Sequence, residues 1–403
     1  MREVRIHRYL LVGCWALVVG CAVHESTSLE VPAQRNLFSE YLGKSDSEVE
    51  QKLLEAWDHY FNGDKETERV YYPVGEDMAY IFDVGNGDVR SEGISYGMMI
   101  AVQMDKQDEF NRIWKWADTY MRQTSGPLEG FFSWHCSRDG NRLDQGPASD
   151  GEEWIAMALF FAAHRWGNGD GLFNYRVEAN KVLQAMLQLR QEPEGDVVAM
   201  WDRDEKIIRF VPFRQWAHVT DPSYHLPAFY ELWAEWAEAD QAFWSDAAEV
   251  SREFFKQAAH PETGLMADYT YMDGQPFVHN GHEDFRFDAW RTLSNVALDY
   301  TWWKKDPWQV EQSNRVLKFL GQIEGGIPNQ MELDGTPLSD SSSGGLYHMA
   351  ATAGLASDRE VAMEFVQALW DAPFEEGEWR YYDGMLHILA LLQVSGRFQI
   401  WGP

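Results

Sequence analysis

Cysteine is nearly absent from this chain: 403 residues contain three, Cys14, Cys21 and Cys136. If Cys14 leaves with a leader segment and Cys21 is acylated, only the Cys136 thiol remains, so no internal disulfide can be invoked and stability must come from a core. With 45% apolar residues there is enough material for a sizeable one. Positive charge is scarce as well. Lys and Arg total 34 against 64 Asp and Glu, giving a formal charge of −30, and this argues against nucleic acid or an anionic membrane surface as a partner. The apolar run Tyr9 to Val19 is too short to span a bilayer, which takes roughly 20 residues. No repeat is visible as sequence identity, and no linker or composition break interrupts residues 40 to 400. Regular solenoids and multidomain arrays are thereby disfavoured.

The first 21 residues read as a targeting segment. Arg2, Arg5, His7 and Arg8 form a positive n-region, and Val18-Val19-Gly20-Cys21 places a small residue before a cysteine. The stretch resembles a bacterial lipoprotein signal with Cys21 as the lipidated first residue. The expectation is an exported, membrane-anchored lipoprotein, periplasmic or at the cell surface. An ordinary secretory peptide cleaved nearby is the alternative. Residues 22–34, polar and aperiodic, would form a tether to a single domain over 35–403.

Helical periodicity recurs through that domain. It predicts twelve helices, near 47–62, 95–104, 107–122, 150–166, 173–190, 222–238, 241–258, 286–304, 307–322, 343–355, 358–370 and 381–395. Connections such as 105–106 and 239–240 are short, whereas 123–149, 191–221, 259–285 and 323–342 are long and rich in Gly, Pro, Asp and aromatics. Six antiparallel pairs with long loops on one face suggest an all-α toroid, the (α/α)6 barrel. Short extended pieces are expected at Tyr80 to Val84, Val197 to Trp201 and Ile207 to Val211.

Three loop-to-helix junctions share a grammar: Ser91-Glu92-Gly93, Ser149-Asp150-Gly151 and Phe287-Asp288-Ala289. Each sets a carboxylate at or near a helix N-terminus, where the macrodipole favours it. Helices one barrel step apart begin at the same end, so the three carboxylates could meet in a central cavity. Asp150 can also be read as an ordinary N-cap. Asp288 lies between aromatics with Arg286 and Arg291 close by, a setting that tunes a carboxyl group. Cleaving a glycosidic bond takes two such groups in different protonation states. The chain also holds 19 tryptophans, and flat apolar rings meet sugar faces well. Trp134, in a long loop, is the first candidate platform, with Trp201, Trp216, Tyr224 and Trp290 behind it.

Other motifs fail. Gly93-Ile94-Ser95-Tyr96-Gly97 fits the G-x-S-x-G nucleophile elbow, but its surroundings are helical rather than alternating β/α. His282-Glu283 is followed by Arg286 where a zincin needs its second histidine, and Gly85-Asn86-Gly87 by Arg90 where a dinucleotide fingerprint needs glycine.

Four segments in register, 91–99 (SEGISYGMM), 148–152 (ASDGE), 220–225 (TDPSYH) and 285–291 (FRFDAWR), resemble glycoside hydrolase family 8, and the likeness extends across roughly residues 35 to 400. The resemblance implies an (α/α)6 catalytic domain and inversion of configuration without metal or organic cofactor. By position, Glu92 would be the general acid and Asp288 the general base. Asp150 would bind and distort the sugar at the cleaved bond, Arg291 would be the family arginine at that site, Tyr224 would lie near the catalytic water, and Trp134 would stack on a sugar. Within the family, residues 220–233 are most like the enzymes that release xylose from the reducing end of short xylo-oligosaccharides. Those close the cleft with a late loop that carries a histidine. The matching stretch here, 333–345, has none before His348, which the periodicity puts on the tenth helix. Endo action on xylan, β-glucan, cellulose or chitosan is therefore kept as an alternative, with a non-catalytic sugar-binding lipoprotein as the rival from another class. A xylo-oligosaccharide is the expected partner and a monomer the expected state.

Overall fold

Helices that bury one stripe and helices that bury every face are distinct populations in this chain, and they occupy different rings. The computed structural model describes residues 34–188 and 195–403. The targeting segment with Cys21, nearly all of the tether, and the end of the fifth expected helix lie outside the described residues.

Thirteen α-helices are present among the described residues: α1 (Leu37–Leu42), α2 (Asp46–Trp57), α3 (Ser91–Gln103), α4 (Gln107–Trp116), α5 (Ser149–Trp166), α6 (Tyr175–Leu187), α7 (Pro227–Trp236), α8 (Gln241–Ala258), α9 (Arg291–Trp303), α10 (Trp308–Leu320), α11 (Gly344–Ala353), α12 (Arg359–Asp371) and α13 (Arg380–Val394). The even-numbered helices are amphipathic. In α2 the buried set is Val49, Leu53, Ala56 and Trp57, and in α12 it is Ala362, Phe365, Val366 and Leu369, each a stripe at helical spacing. The odd-numbered helices from α3 to α13 are buried nearly all round. Every residue of α3 except Glu92 is buried, as is every residue of α13 except Tyr382 and Asp383. Each of these exceptions sits in the first turn, so α3 and α13 show their N-termini to a space and nothing else.

The inner helices close a ring. α13 packs on α3, α3 on α5, α7 on α9, α9 on α11 and α11 on α13. Between α5 and α7 the link is made by Trp154 edge-on to Phe229 at 5.2 Å and by the Tyr230 hydroxyl donating to Glu153 at 2.5 Å. This is the (α/α)6 barrel. Strand pairs of a few residues gather the loops at the N-terminal mouth. Val89–Arg90 leads directly into α3 and pairs with His135–Cys136, while Phe285–Arg286 leads toward α9 and pairs with Gln330–Met331. The opposite end is closed by the C-terminal tail. Phe398 packs on Trp154 and Trp302, and Gln103 fixes the tail by bonding the Gln399 backbone and the Trp401 indole.

Several boundaries differ from expectation for local reasons. The helix expected over 222–238 is broken: a 3-10 turn at Pro222–Tyr224 is followed by extended His225, because Pro227 restricts the residue before it and opens α7 anew. The helix expected over 286–304 becomes regular only at Arg291, since Arg286 is extended and Phe287 has φ +36. α3 begins at Ser91 rather than 95, which places Glu92 inside its first turn. α1 carries no long periodic pattern and was not expected. The extended pieces are shorter and shifted: Met78–Ile81, Trp201–Asp202 and Ile207–Ile208 form strands, and Val197 makes one bridge to Phe213. Among the described residues no helix is long and apolar enough to cross a membrane.

Phe398 is 1% exposed, and truncating such a ring costs about 3–5 kcal/mol. Phe398→Ala should therefore lower unfolding stability by that amount in chemical denaturation, while secondary structure read by circular dichroism stays intact.

Candidate active site

A cavity of about 1040 Å³ opens at the N-terminal mouth of the ring, and Glu92, Asp150, Tyr224, Asp288 and Trp134 all line it. Arg291, 4% exposed, lies beneath and binds most of them. Its Nη1 donates to Glu92 Oε2 at 3.1 Å, to Asp150 Oδ2 at 2.8 Å and to the Tyr96 hydroxyl at 2.5 Å. Its Nη2 donates to Ser223 Oγ at 2.9 Å and pairs with Asp288 Oδ2 at 3.2 Å, and its guanidinium lies 5.5 Å from the Tyr224 ring centre. A guanidinium does not deprotonate in proteins, so one fixed positive charge faces three carboxyl groups from three inner-ring junctions.

One positive charge cannot balance three carboxylates in a buried site, and the carboxyl groups respond. Burial pushes Glu92 up to about 8 against the attraction of Arg291, and repulsion from Asp288 and Asp150 adds to the rise. Burial also raises Asp150, opposed by Arg291. Glu92 has a second partner in Tyr381, whose hydroxyl donates to Oε1 at 3.0 Å. Asp288 is the most open of the three at 28% side-chain exposure, with Tyr382 reaching its Oδ1 at 3.4 Å. Glu92 and Asp288 are thus held on different nitrogens of one side chain, leaving the space between them to a ligand.

Behind Asp288 stand two further acids. One carboxylate oxygen each from Asp221, Asp268 and Asp288 lies within 4.8 Å of the other two. Asp268 accepts from the Ala289 N–H at 3.1 Å and pairs with His282 Nδ1 at 2.5 Å. Burial, with repulsion from Asp288, raises Asp268, and burial with repulsion from Asp268 raises Asp221.

The glycines of the sequence grammar serve close approach. A Cβ on Gly93 would fall 2.5 Å from the Tyr381 ring, and one on Gly151 would fall 2.6 Å from Ser91 Oγ. Only glycine lets α13 set its tyrosine on Glu92 and lets the starts of α3 and α5 meet. Ser95, the elbow candidate, is fully buried and donates to the Glu92 carbonyl at 2.7 Å. No nucleophile is presented there.

Trp134 is partly buried, stacked on His135 at 4.5 Å with the Arg90 guanidinium 5.6 Å from its ring centre. Its loop is anchored twice: the Trp134 carbonyl accepts from Ser91 N at 3.0 Å, and Phe132 N donates to buried Glu152 at 2.8 Å. Trp290 also lines the cavity, beside Phe287 and Tyr382. Trp201 does not, since it is fully buried among Tyr230, Phe243 and Trp244 and belongs to the core. Trp216 packs on Phe210 and Phe277 outside the lining. His348 is on α11 as expected, buried against His387 and away from the cavity.

Sequence reading missed Tyr381, Tyr382, Asp221, Asp268 and His282. A signal existed for the tyrosines, which open the last inner helix after a Gly-containing loop just as Glu92 and Asp150 open theirs. For Asp268 and His282, inside an irregular loop, there was none.

Gly93→Ala should displace Tyr381 and remove its bond to Glu92. Since misplacing a reacting group by about 1 Å can cost about 100-fold, kcat should fall by about that factor on an oligosaccharide substrate, with the melting temperature monitored as a control on folding.

Comparison with known proteins gives the family. The family described as glycosyl hydrolases family 8 matches residues 82–396. The reducing-end xylose-releasing exo-oligoxylanase Rex8A of Paenibacillus barcinonensis is 45% identical over 372 residues, covering 91% of this chain and 96% of that protein. A reducing end xylose-releasing exo-oligoxylanase of Halalkalibacterium halodurans is 44% identical over 374 residues, covering 92% and 95%. Among solved structures, a catalytic mutant of a xylanase from Teredinibacter turnerae in complex with xylohexaose superposes with a TM-score of 0.89 at 44% identity, covering 92% of this chain and 98% of that one. A buried acid and a second, more open carboxylate on one guanidinium, at the mouth of an (α/α)6 barrel matched over that length, make this chain a glycoside hydrolase belonging to the inverting family 8.

Proposed function

We propose that this enzyme releases xylose from the reducing end of short β-1,4-xylo-oligosaccharides, with Glu92 as general acid and Asp288 as general base. The observation that carries the roles is the asymmetry between the two groups. Glu92, raised to about 8 by burial, holds a proton at neutral pH and can give it to the glycosidic oxygen as the C–O bond breaks. Asp288, ion-paired with Arg291 and open to the cavity, can take a proton from the water that attacks the opposite face of the anomeric carbon. Inverting pairs stand about 6.5–9.5 Å apart so that this water fits. Asp150, bonded to Arg291 at 2.8 Å, is placed to hold the sugar at the cleaved bond, Tyr224 stands beside the water, and Trp134 offers a ring to a further sugar.

The substrate assignment is supported by the likeness to the two exo-oligoxylanases, and the late loop contributes to the cavity. Asn329, Gln330 and Ser341 to Ser343 form part of its wall, and Ser343 Oγ ties that wall to Asp383 at 2.7 Å. An endo-acting xylanase is the second reading. It is favoured by the likeness to the Teredinibacter turnerae xylanase and by the lack of histidine in residues 323–343.

Xylotetraose labelled at its reducing end should yield labelled xylose and unlabelled xylotriose. Label in xylobiose or longer fragments would establish the endo reading instead. Because Glu92 must be protonated to act, kcat/KM should fall as pH rises through about 8. Asp150→Asn removes a charge that raises Glu92 and should shift that limb to lower pH. Glu92→Gln should cut turnover by about 10²–10⁴-fold, and near-normal turnover would end its candidacy as the acid.

A further inference from the structure

Two buried acids beside the general base have no part in the proposed reaction. Asp221 is fully buried and Asp268 is 2% exposed, yet among the described residues neither is ion-paired with a Lys or Arg. With Asp288 they bring three carboxylate oxygens to within 4.8 Å of one another. Like charges at that spacing cannot all stay ionised, as paired aspartates in other enzymes illustrate. At least one proton must be shared in the group.

The surroundings decide where it resides. Asp288 has the Arg291 guanidinium at 3.2 Å. Asp268 receives the Ala289 N–H on one oxygen and faces His282 Nδ1 on the other. Asp221 receives a single backbone N–H, from Ser223 to Oδ1 at 2.7 Å, while its Oδ2 is buried with no hydrogen-bond partner. A buried carboxylate oxygen without a donor is costly, whereas the same oxygen carrying a proton becomes a donor, and the Asp268 and Asp288 carboxylates are its neighbours in a cluster whose oxygens lie within 4.8 Å of one another.

We propose that Asp221 is a positioning residue, held as a neutral carboxylic acid whose O–H is donated into the Asp268–Asp288 pair and fixes the orientation of the base. Asp268 completes the support, because the N–H it accepts belongs to Ala289, the residue after Asp288. The arrangement opposes local strain, since Phe287, the residue before Asp288, has φ +36, a conformation that aromatic residues rarely adopt. Burial and the repulsion of Asp268 and Asp288 act in the same direction, raising Asp221 well above the carboxylate range, with Arg291 opposing. The inference rests on the reading of Asp288 as general base.

The test compares Asp221→Ala, Asp221→Asn and Asp288→Asn on xylotriose, with melting temperatures recorded. An asparagine amide is neutral and still donates, so it imitates the protonated acid. A hydrogen bond to a charged group contributes about 1.5–3 kcal/mol. Asp221→Ala should therefore lower kcat about 10- to 100-fold with KM little changed, and Asp221→Asn should recover most of that loss. Folded Asp221→Asn as impaired as Asp221→Ala would overturn the proposal, because an ionised or titrating Asp221 would then be needed. Wild-type kcat in Asp221→Ala would overturn it as well. Wild-type activity should survive dialysis against EDTA; a loss restored by a divalent cation would overturn the proposal by assigning the cluster to a metal. If Asp288→Asn keeps its turnover, the base reading itself falls. If Asp288→Asn is inactive while the Asp221 series is flat, only the present inference falls.

Discussion

One buried guanidinium holds this site together. Arg291 binds Glu92 and Asp150 through one nitrogen and Ser223 and Asp288 through the other. Groups from the starts of α3 and α5 and from the segments entering α7 and α9 are thereby fixed around a planar fork whose charge does not titrate. Three carboxyl groups around one positive charge leave an excess of negative charge, and burial makes that excess expensive. On the proposed roles, the site meets it by keeping a proton on Glu92, where solvation is poorest, and leaving the more exposed Asp288 to accept one, the logic that separates paired carboxyl groups in other glycosidases.

The barrel exists to bring helix starts together. The inner helices are buried along most of their length, so the place where they present chemistry to the cavity is the first turn. Glu92, Tyr382 and Asp383 are the positions where α3 and α13 depart from burial at their N-termini. That convergence demands small residues where chains cross, hence Gly93 under Tyr381 and Gly151 under Ser91. The far end needs no function and is filled with aromatic rings around Phe398. Loops that would otherwise be free are pinned by two-residue strands and by buried acids such as Glu152, which anchors the segment bearing Trp134.

Sugar hydrolysis requires both a rigid pair of proton-transfer groups and a surface that accepts a ring. The rigid part is built on helix termini, where the backbone is fixed by the ring packing. The accepting part is built on loops: Trp134 on one and the serines at 341–343 on another. This division separates the parts that would set which sugars fit from the parts that would carry the proton transfer. Loop residues change which sugars fit without disturbing the proton-transfer geometry.

The sequence by itself determined most of the helices and the acids at three loop-to-helix junctions, because helical periodicity and N-terminal capping are local physics written within a dozen residues. It also marked Glu92, Asp150, Tyr224, Asp288, Arg291 and Trp134, all of which line the cavity or, for Arg291, support it. Only the tertiary structure decided that Tyr381 bonds Glu92 across 289 residues, that Trp201 belongs to the core, and that Asp221, Asp268 and His282 stand behind Asp288. Those contacts depend on how the ring closes and on loops without periodicity, and no short-range pattern records a distance between residues that meet only after the barrel has formed.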